Sequence, residues 1–454
     1  MANRLDQLLR MVDDARDEVI ALTQELVRIP TVNDGTPESG HELAAAELLQ
    51  RRLAEDGIES RIFRSAEHRG NIVASIGSGS GPRLLYMSHT DVVPVEDESQ
   101  WTHPPFGGEI HDGRIWGRGA ADMKSTVAAQ AMALKLLQRA GVPLQGTLSL
   151  ASCADEEAGG AFGFGWMAQH YPELLRADYA INEGGGWPIR TAGRLVYPIP
   201  TGEKGRLEVH LRIKGRGWHA SQPWRADNAI YKAEEVIRRV RSYQPQVSTA
   251  HDLFRHLDAL AGVDGPVTDE TIDAVLEQIE ARDVNLASML RAASRMTLVA
   301  TMIHGGVKSN SVAERCLVTC DVRTLPWQDR EYVRQELERL LAGLDGVTIE
   351  VVETAISNQS PYDHPFRSLV EQATRDALGR DDLAFVPGLT VGFTDSRFVR
   401  PLGNVTYGFV PSHPDDDPSK SGAHNIDESA GIESLLAATR FHVALAWRTL
   451  GEAS

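Results

Sequence analysis

Between residues 71 and 182, short apolar runs alternate with helical stretches, and this alternation restricts the fold more than any other feature of the chain. The runs at 71–76, 83–88, 147–153 and 178–182 read as strands, and the Ala- and Leu-rich segment 123–139 reads as a helix. Strands that are apolar throughout are buried on both faces. A strand–helix–strand order also makes neighbouring strands parallel, because the helix carries the chain back to the starting edge. The expected fold class is α/β, with a mixed, mostly parallel sheet in the main domain. Two helices precede the sheet, one at 5–29 ended by Pro30 and one at about 41–56.

The texture changes near Gly202. Leu207, Val209, Leu211 and Ile213 alternate with polar residues, as in a strand with one face exposed. A helix at about 228–243, strands at 296–303 and 316–323, a helix at 329–344 and a strand at 347–352 complete a smaller α+β module with an open sheet. Residues 245–295 form a helix-rich excursion expected inside that module. After about Ala355 the α/β texture resumes. The expected organisation is a first domain split into 1–200 and 355–454, with 201–354 inserted and hinges near 198–202 and 353–357. A length of 454 residues accommodates two such cores.

The formal net charge of −17 disfavours a nucleic acid partner, since phosphate affinity is built from Lys and Arg. No run approaches the ~20 apolar residues that span a bilayer, and residues 1–10 lack the apolar core of a secretory signal. Cys316 and Cys320 would lie ~13 Å apart on one strand, too far for a disulfide, and Cys153 has no partner in sequence. Unpaired thiols fit a reducing compartment, so a cytoplasmic protein is expected.

Five acidic or histidine-bearing segments fall at or near expected strand ends, where open α/β sheets bind ligands. In His89-Thr-Asp91 the two side chains point the same way on an extended chain. His89 suits a metal ligand and Asp91 its orienting partner. Asp122 sits at the expected start of a helix and by itself reads as an N-cap. Glu156 and Glu157 follow a strand and offer one metal ligand and one proton carrier. Glu183 ends a strand before three glycines, and His424 stands in Gly-Ala-His-Asn-Ile-Asp-Glu428.

Taken together, His89-x-Asp91, Asp122, Glu156-Glu157, Glu183 and His424 resemble the M20-type zinc metallopeptidases. That family includes aminoacylases, glutamate-releasing carboxypeptidases, acetylornithine deacetylase and succinyl-diaminopimelate desuccinylase. The resemblance extends to Arg28-Ile-Pro-Thr31 and covers nearly the whole chain. It implies that His89, Asp122 and Glu183 hold one zinc and that Glu157, His424 and the shared Asp122 hold another. Asp91 would orient His89, and Glu156 would be the general base. Such oxygen and imidazole ligands suit zinc, with cobalt or manganese as substitutes.

Gly217-Trp-His219 resembles the family's lid motif, whose histidine polarises the scissile carbonyl. Asn310 and Arg323 look like its substrate-contacting pair, and Thr394-Asp-Ser-Arg397 resembles the substrate-side loop of its aminoacylase and carboxypeptidase branches. Arg323 and Arg397 are both candidates to grip a carboxylate. The resemblance further implies a homodimer through the inserted domain, which brings His219 to the partner's site. The chain departs from the family pattern in the 245–295 excursion, expected to alter the pocket or dimer surface, and in Ala158, where glycine often follows the glutamates directly.

The expected function is hydrolysis of an amide bond in an N-acyl amino acid, dipeptide or peptide C-terminus with a free carboxylate. The alternative is a biosynthetic deacylase of the acetylornithine or succinyl-diaminopimelate type. A metal-free binding relative is disfavoured by the complete set of expected ligands, and a two-metal nuclease by the acidic composition.

Overall fold

The computed structural model describes residues 2–77, 79–191, 193–263 and 265–451. Its central sheet has six strands in the order Ser60–Arg64, Gly70–Gly77, Thr147–Cys153, Arg83–His89, Tyr179–Asn182 and Val405–Gly408. The first two pairings are antiparallel and the remaining three parallel. Alternation within the apolar strands supplies both faces. Leu84 and Tyr86 pack with Leu134, Phe441 and Leu445 of the helices Ser125–Arg139 and Ile432–Leu450. Leu85 and Met87 pack on the other side with Phe164, Met167 and Val399. The sheet is therefore covered on both faces, as its unbroken apolar strands require. The expected N-terminal helix is two helices, Ala2–Asp14 and Arg16–Val27, interrupted at Ala15.

A second sheet, antiparallel throughout, runs Thr297–Gly305, Arg315–Thr324, Gly205–Lys214 and Val347–Ala355. Leu207, Val209, Leu211 and Ile213 face the helices Ala229–Arg241 and Arg330–Leu340 through Val236, Val240, Val333 and Leu337. The edge strand Thr297–Gly305 leaves Val299, Met302 and Ile303 about half exposed.

The excursion at 245–295 departs from expectation. Its helices Ile272–Glu280 and Val284–Ala293 each present one apolar stripe, Ile272, Leu276 and Ile279 on the first and Ala287, Leu290 and Ala293 on the second. Those stripes share a core with Val196, Val386 and Leu389, on the strands Arg194–Glu203 and Leu383–Thr390. These strands pair in parallel in a third sheet, separate from the antiparallel one. The excursion thus packs on a separate sheet rather than inside the inserted module, and contributes nothing to that module's core. The first crossing also moves. Residues 198–202 lie within the paired strand Arg194–Glu203, so the chain passes between sheets at Lys204.

Candidate metal centre and active site

Three donor-bearing turns leave the carboxyl ends of adjacent parallel strands. His89 closes Arg83–His89 in register with Cys153, the acidic turn at 155–158 follows Cys153, and Glu183 follows Tyr179–Asn182. A fourth donor, Asp122, stands in the turn Ala120–Lys124 that precedes the helix Ser125–Arg139. Its side chain caps no helix, which overturns the N-cap reading. Instead its two oxygens face two histidines: Oδ1 is 3.1 Å from His89 Nε2, and Oδ2 is 3.2 Å from His424 Nε2. Glu183 Oε2 lies 3.6 Å from His89 Nε2, and Glu157 Oε2 lies 3.1 Å from His424 Nε2. Asp122 therefore lies between a His89–Glu183 half and a His424–Glu157 half.

Asp91 ties these parts together. One of its oxygens is 3.4 Å from His89 Nδ1, and the carboxylate accepts from the backbone N–H of Glu156 and of Glu157, each at 3.1 Å. Asn33 Nδ2 donates to it at 2.9 Å. The segment carrying Asn33 is held beside His89-x-Asp91 by Val92 N–H to Thr31 O and Asn33 N–H to Val92 O. Burial works to raise the Asp91 carboxyl, but the His89 and Asn33 bonds outweigh it, so Asp91 stays ionised.

The electrostatics test whether a cation fits. Burial raises Glu183 to about 7, with Asp122 adding repulsion against the pull of His89. Burial and Glu183 drive Glu156 well above the carboxylate range, and burial raises Glu157. His424 is raised to about 10 by its bonds to Asp122 and Glu157. Among the described residues no Lys or Arg forms an ion pair with Asp122, Glu156, Glu157 or Glu183. The donor atoms of His89, Asp122 and Glu157, and those of His89, Glu156 and Glu183, each converge within 4.8 Å. Oxygen and imidazole donors in mutual repulsion are relieved by divalent cations, so the residues fit a metal pair.

These groups open onto a cavity of about 620 Å³ lined by Asp122, Glu156, Glu157, Glu183, Thr394 and His424, among others. Thr394 is the expected substrate residue among them, whereas Arg397, Asn310, Arg323 and His219 lie elsewhere. Arg397 stacks between Phe393 and Phe398 and donates to Gly159 O at 2.8 Å, so it braces the acidic turn from behind. Thr394 donates to Glu203 and accepts from Asn182 Nδ2. Arg323 pairs with Asp321 at 2.7 Å. His219 is exposed and bonds Ser221, and the neighbouring Ala220 N–H donates to Asn310 O. His219 and Asn310 are thus adjacent to each other, yet no residue of 205–355 lines the cavity.

Glu428 supports the site without being one of the expected residues. Its carboxylate accepts from the N–H groups of Gly119, Ala121 and Asp122 at 3.0, 2.9 and 3.0 Å, and pairs with the buried Arg118 at 2.6 Å. It thereby fixes the turn that aims Asp122. Gly119 holds φ +82°, and a Cβ there would lie 2.4 Å from Val92 Cγ1, so the turn needs glycine. A three-stranded sheet of Glu109–His111, Arg114–Trp116 and Ser429–Gly431 brings Glu428 to this turn. Asp395 was also passed over. It is buried with neither oxygen hydrogen-bonded, and burial raises it to about 8.

A doubly covered sheet thus carries His89, Glu156, Glu157 and Glu183 to Asp122 and His424, a donor set that could hold metal, and the family match makes the protein a metal-dependent amidohydrolase. Residues 85–448 match the model of peptidase family M20/M25/M40, and the chain belongs to that family. A probable succinyl-diaminopimelate desuccinylase of Staphylococcus epidermidis is 26% identical over 417 residues, covering 91% of this chain and 93% of the relative. An M20 family metallo-carboxypeptidase from Sulfolobus solfataricus superposes with a TM-score of 0.73 at 20% identity, covering 95% of this chain and 99% of its own. A dinuclear metal-binding M20 peptidase from Bacillus subtilis gives 0.60 at 15%, covering 96% and 98%.

Proposed function

We propose that the protein is a dinuclear zinc hydrolase that cleaves the amide bond of an N-acyl amino acid, dipeptide or peptide C-terminus bearing a free carboxylate. The observation that carries this reading is Asp122, whose two oxygens face His89 and His424 separately. His89, Asp122 and Glu183 would hold one ion, and Asp122, Glu157 and His424 the other. Two bound divalent cations, zinc or the cobalt or manganese that the same donors accept, would polarise the carbonyl and acidify a water. Asp91 keeps the His89 ring oriented and its proton on Nδ1. Glu156 holds no ligand position in this assignment. It faces the cavity, takes the proton of the attacking water and returns it to the leaving amine, which departs poorly without one.

His219 is the proposed polarising group for the carbonyl, and Asn310, Arg323, Thr394 and Arg397 the proposed substrate contacts. Since the inserted module lines none of the cavity, His219 has to reach it by closure or from another copy. The exposed edge Thr297–Gly305, beside exposed Ile230 and Tyr231 of the adjoining helix, suits edge-to-edge pairing of two modules. A homodimer through 201–354 is therefore part of the reading. All three cysteines are buried and unpaired, which fits the cytoplasm, and no helix of the described residues is long and apolar enough to cross a membrane.

The second reading, a deacylase of the succinyl-diaminopimelate type, draws on the name of the Staphylococcus epidermidis relative. Incubating metal-loaded protein with N-acyl amino acids, dipeptides and N-succinyl-diaminopimelate, with product masses read out, tests both. Hydrolysis in the first two groups supports the main reading, cleavage of the succinyl compound alone supports the second, and no hydrolysis rejects both.

A further inference from the structure

We propose that the cavity beside the metal centre is an acyl-group site built for an uncharged, apolar chain of several carbons, and that it discriminates against N-succinyl substrates. This rests on the amide-hydrolase reading above and specifies which side of the scissile bond the cavity receives.

The cavity is walled by Met123, Trp187, Phe393, Val410, Leu435 and Ala438. Its charged lining is one-sided. Besides the four metal-centre carboxylates it contains Asp416 and Asp417, while Arg114 is the sole Lys or Arg among the described lining residues. Each of the three Arg114 nitrogens is engaged. One terminal nitrogen pairs with Asp416, Nε donates to Ser429 Oγ at 2.9 Å, and the other terminal nitrogen donates to Ser429 O at 3.0 Å. Asp416 also accepts from Ser434 Oγ at 2.6 Å, which closes the network. A second carboxylate directed at the apolar wall would lose its water, find no Lys or Arg that is not already paired and face Asp417, each effect unfavourable. An alkyl chain would instead cover apolar wall and gain roughly fourfold in binding per buried methylene.

The candidates for the substrate's own carboxylate lie outside the cavity. Arg323 is on the inserted module, and Arg397 is turned to Gly159 O. With the free carboxylate directed toward that module, the cavity remains for the acyl portion. A volume of about 620 Å³ is within the ordinary range of ligand pockets and exceeds what an acetyl group needs.

The test uses the full-length, metal-loaded protein and one acyl series, N-acetyl, N-butanoyl, N-hexanoyl and N-succinyl, on each of several amino acids. The expected result is a kcat/KM that rises about three- to fourfold per methylene, with N-succinyl at least tenfold below N-butanoyl. A flat response to length, or an N-succinyl value equal to or above N-butanoyl, would overturn the acyl site while leaving the hydrolase reading intact. Cleavage of dipeptides in parallel with no hydrolysis across the acyl series would overturn the acyl site alone, and no hydrolysis of either would overturn the hydrolase reading and the acyl site with it. Two variants probe the walls. Ala438→Phe should cut the gain from N-butanoyl to N-hexanoyl, and Ser412→Arg, on the loop at the cavity rim, should raise the N-succinyl to N-butanoyl ratio tenfold or more by supplying a cation. Ser412→Arg leaves the helix packing untouched, so it reads out even if Ala438→Phe does not fold. Unchanged ratios in a folded variant would count against the proposal.

Discussion

Glu428→Gln isolates the turn that aims Asp122 without touching a proposed ligand. In the native chain one buried carboxylate accepts three backbone N–H bonds and pairs with Arg118, itself buried. The amide keeps the shape but removes the charge, and it turns an NH₂ group toward donors that need an acceptor. Breaking a buried ion pair by removing one partner costs about 3–5 kcal/mol, and an orphaned buried N–H adds ~1–3 kcal/mol. The carboxylate also suffers from its own burial, which raises it, so the lower end, ~3 kcal/mol, is the expected loss. That corresponds to a fall in Tm of roughly 6 °C at about 2 °C per kcal/mol. Because Asp122 is held through its own N–H, the looser turn should also weaken metal binding by about 10- to 100-fold, as other supporting contacts to metal ligands do. Calorimetry of the metal-free protein reads the first effect, and competition with a chelator of known affinity reads the second. A variant with wild-type Tm and wild-type metal affinity would refute the claim that Glu428 positions Asp122.

Three further outcomes are expected. Glu156→Gln should keep the fold and both metals yet lose ~10²–10⁴-fold in kcat, whereas Glu157→Gln should lose metal first; near-normal turnover by Glu156→Gln would place the base elsewhere. His442 is buried with Nε2 unpartnered, and burial lowers it to about 4, so between pH 6.5 and 4 the unfolded chain binds a proton that the folded one does not. Stability should therefore fall as pH drops through that window, by up to ~3 kcal/mol from this residue; His442→Phe should reduce the loss in acid unfolding curves, and an unchanged acid limb would reject the assignment. Mixing inactive His219→Ala with inactive Glu156→Gln subunits should recover activity if His219 serves the partner's site, and mixed dimers that form but stay inactive would reject a shared site.

The parts of the fold that could be read from sequence were those fixed by local pattern. The four largely apolar runs became strands of the central sheet because burial on both faces favours apolar side chains at successive positions. The strand Arg194–Glu203 carries Pro198 and Pro200, residues rare within sheets, and runs through the segment 198–202 expected as a hinge. The 245–295 helices, expected inside the inserted module, pack instead against that strand and its parallel partner, a contact far apart in sequence. The converging His, Asp and Glu residues could be singled out by their order along the chain, but their geometry could not. Asp122 looked like a helix cap because His424, which faces its second oxygen, lies far along the chain. Glu428 was hidden for a related reason, since its partners are mostly backbone N–H groups that carry no sequence signature. Arg397 offered a guanidinium to any carboxylate, and only packing between Phe393 and Phe398 revealed that it points at Gly159 O.

The central claim is that Asp122 is shared by two metal ions, one on His89 and Glu183 and one on Glu157 and His424. Anomalous diffraction at the zinc absorption edge, from crystals grown with excess zinc, tests it most directly. The expected map has two strong peaks ~3.5–4 Å apart with Asp122 between them. A single peak in the cavity, or two peaks that do not both contact Asp122, would contradict the account.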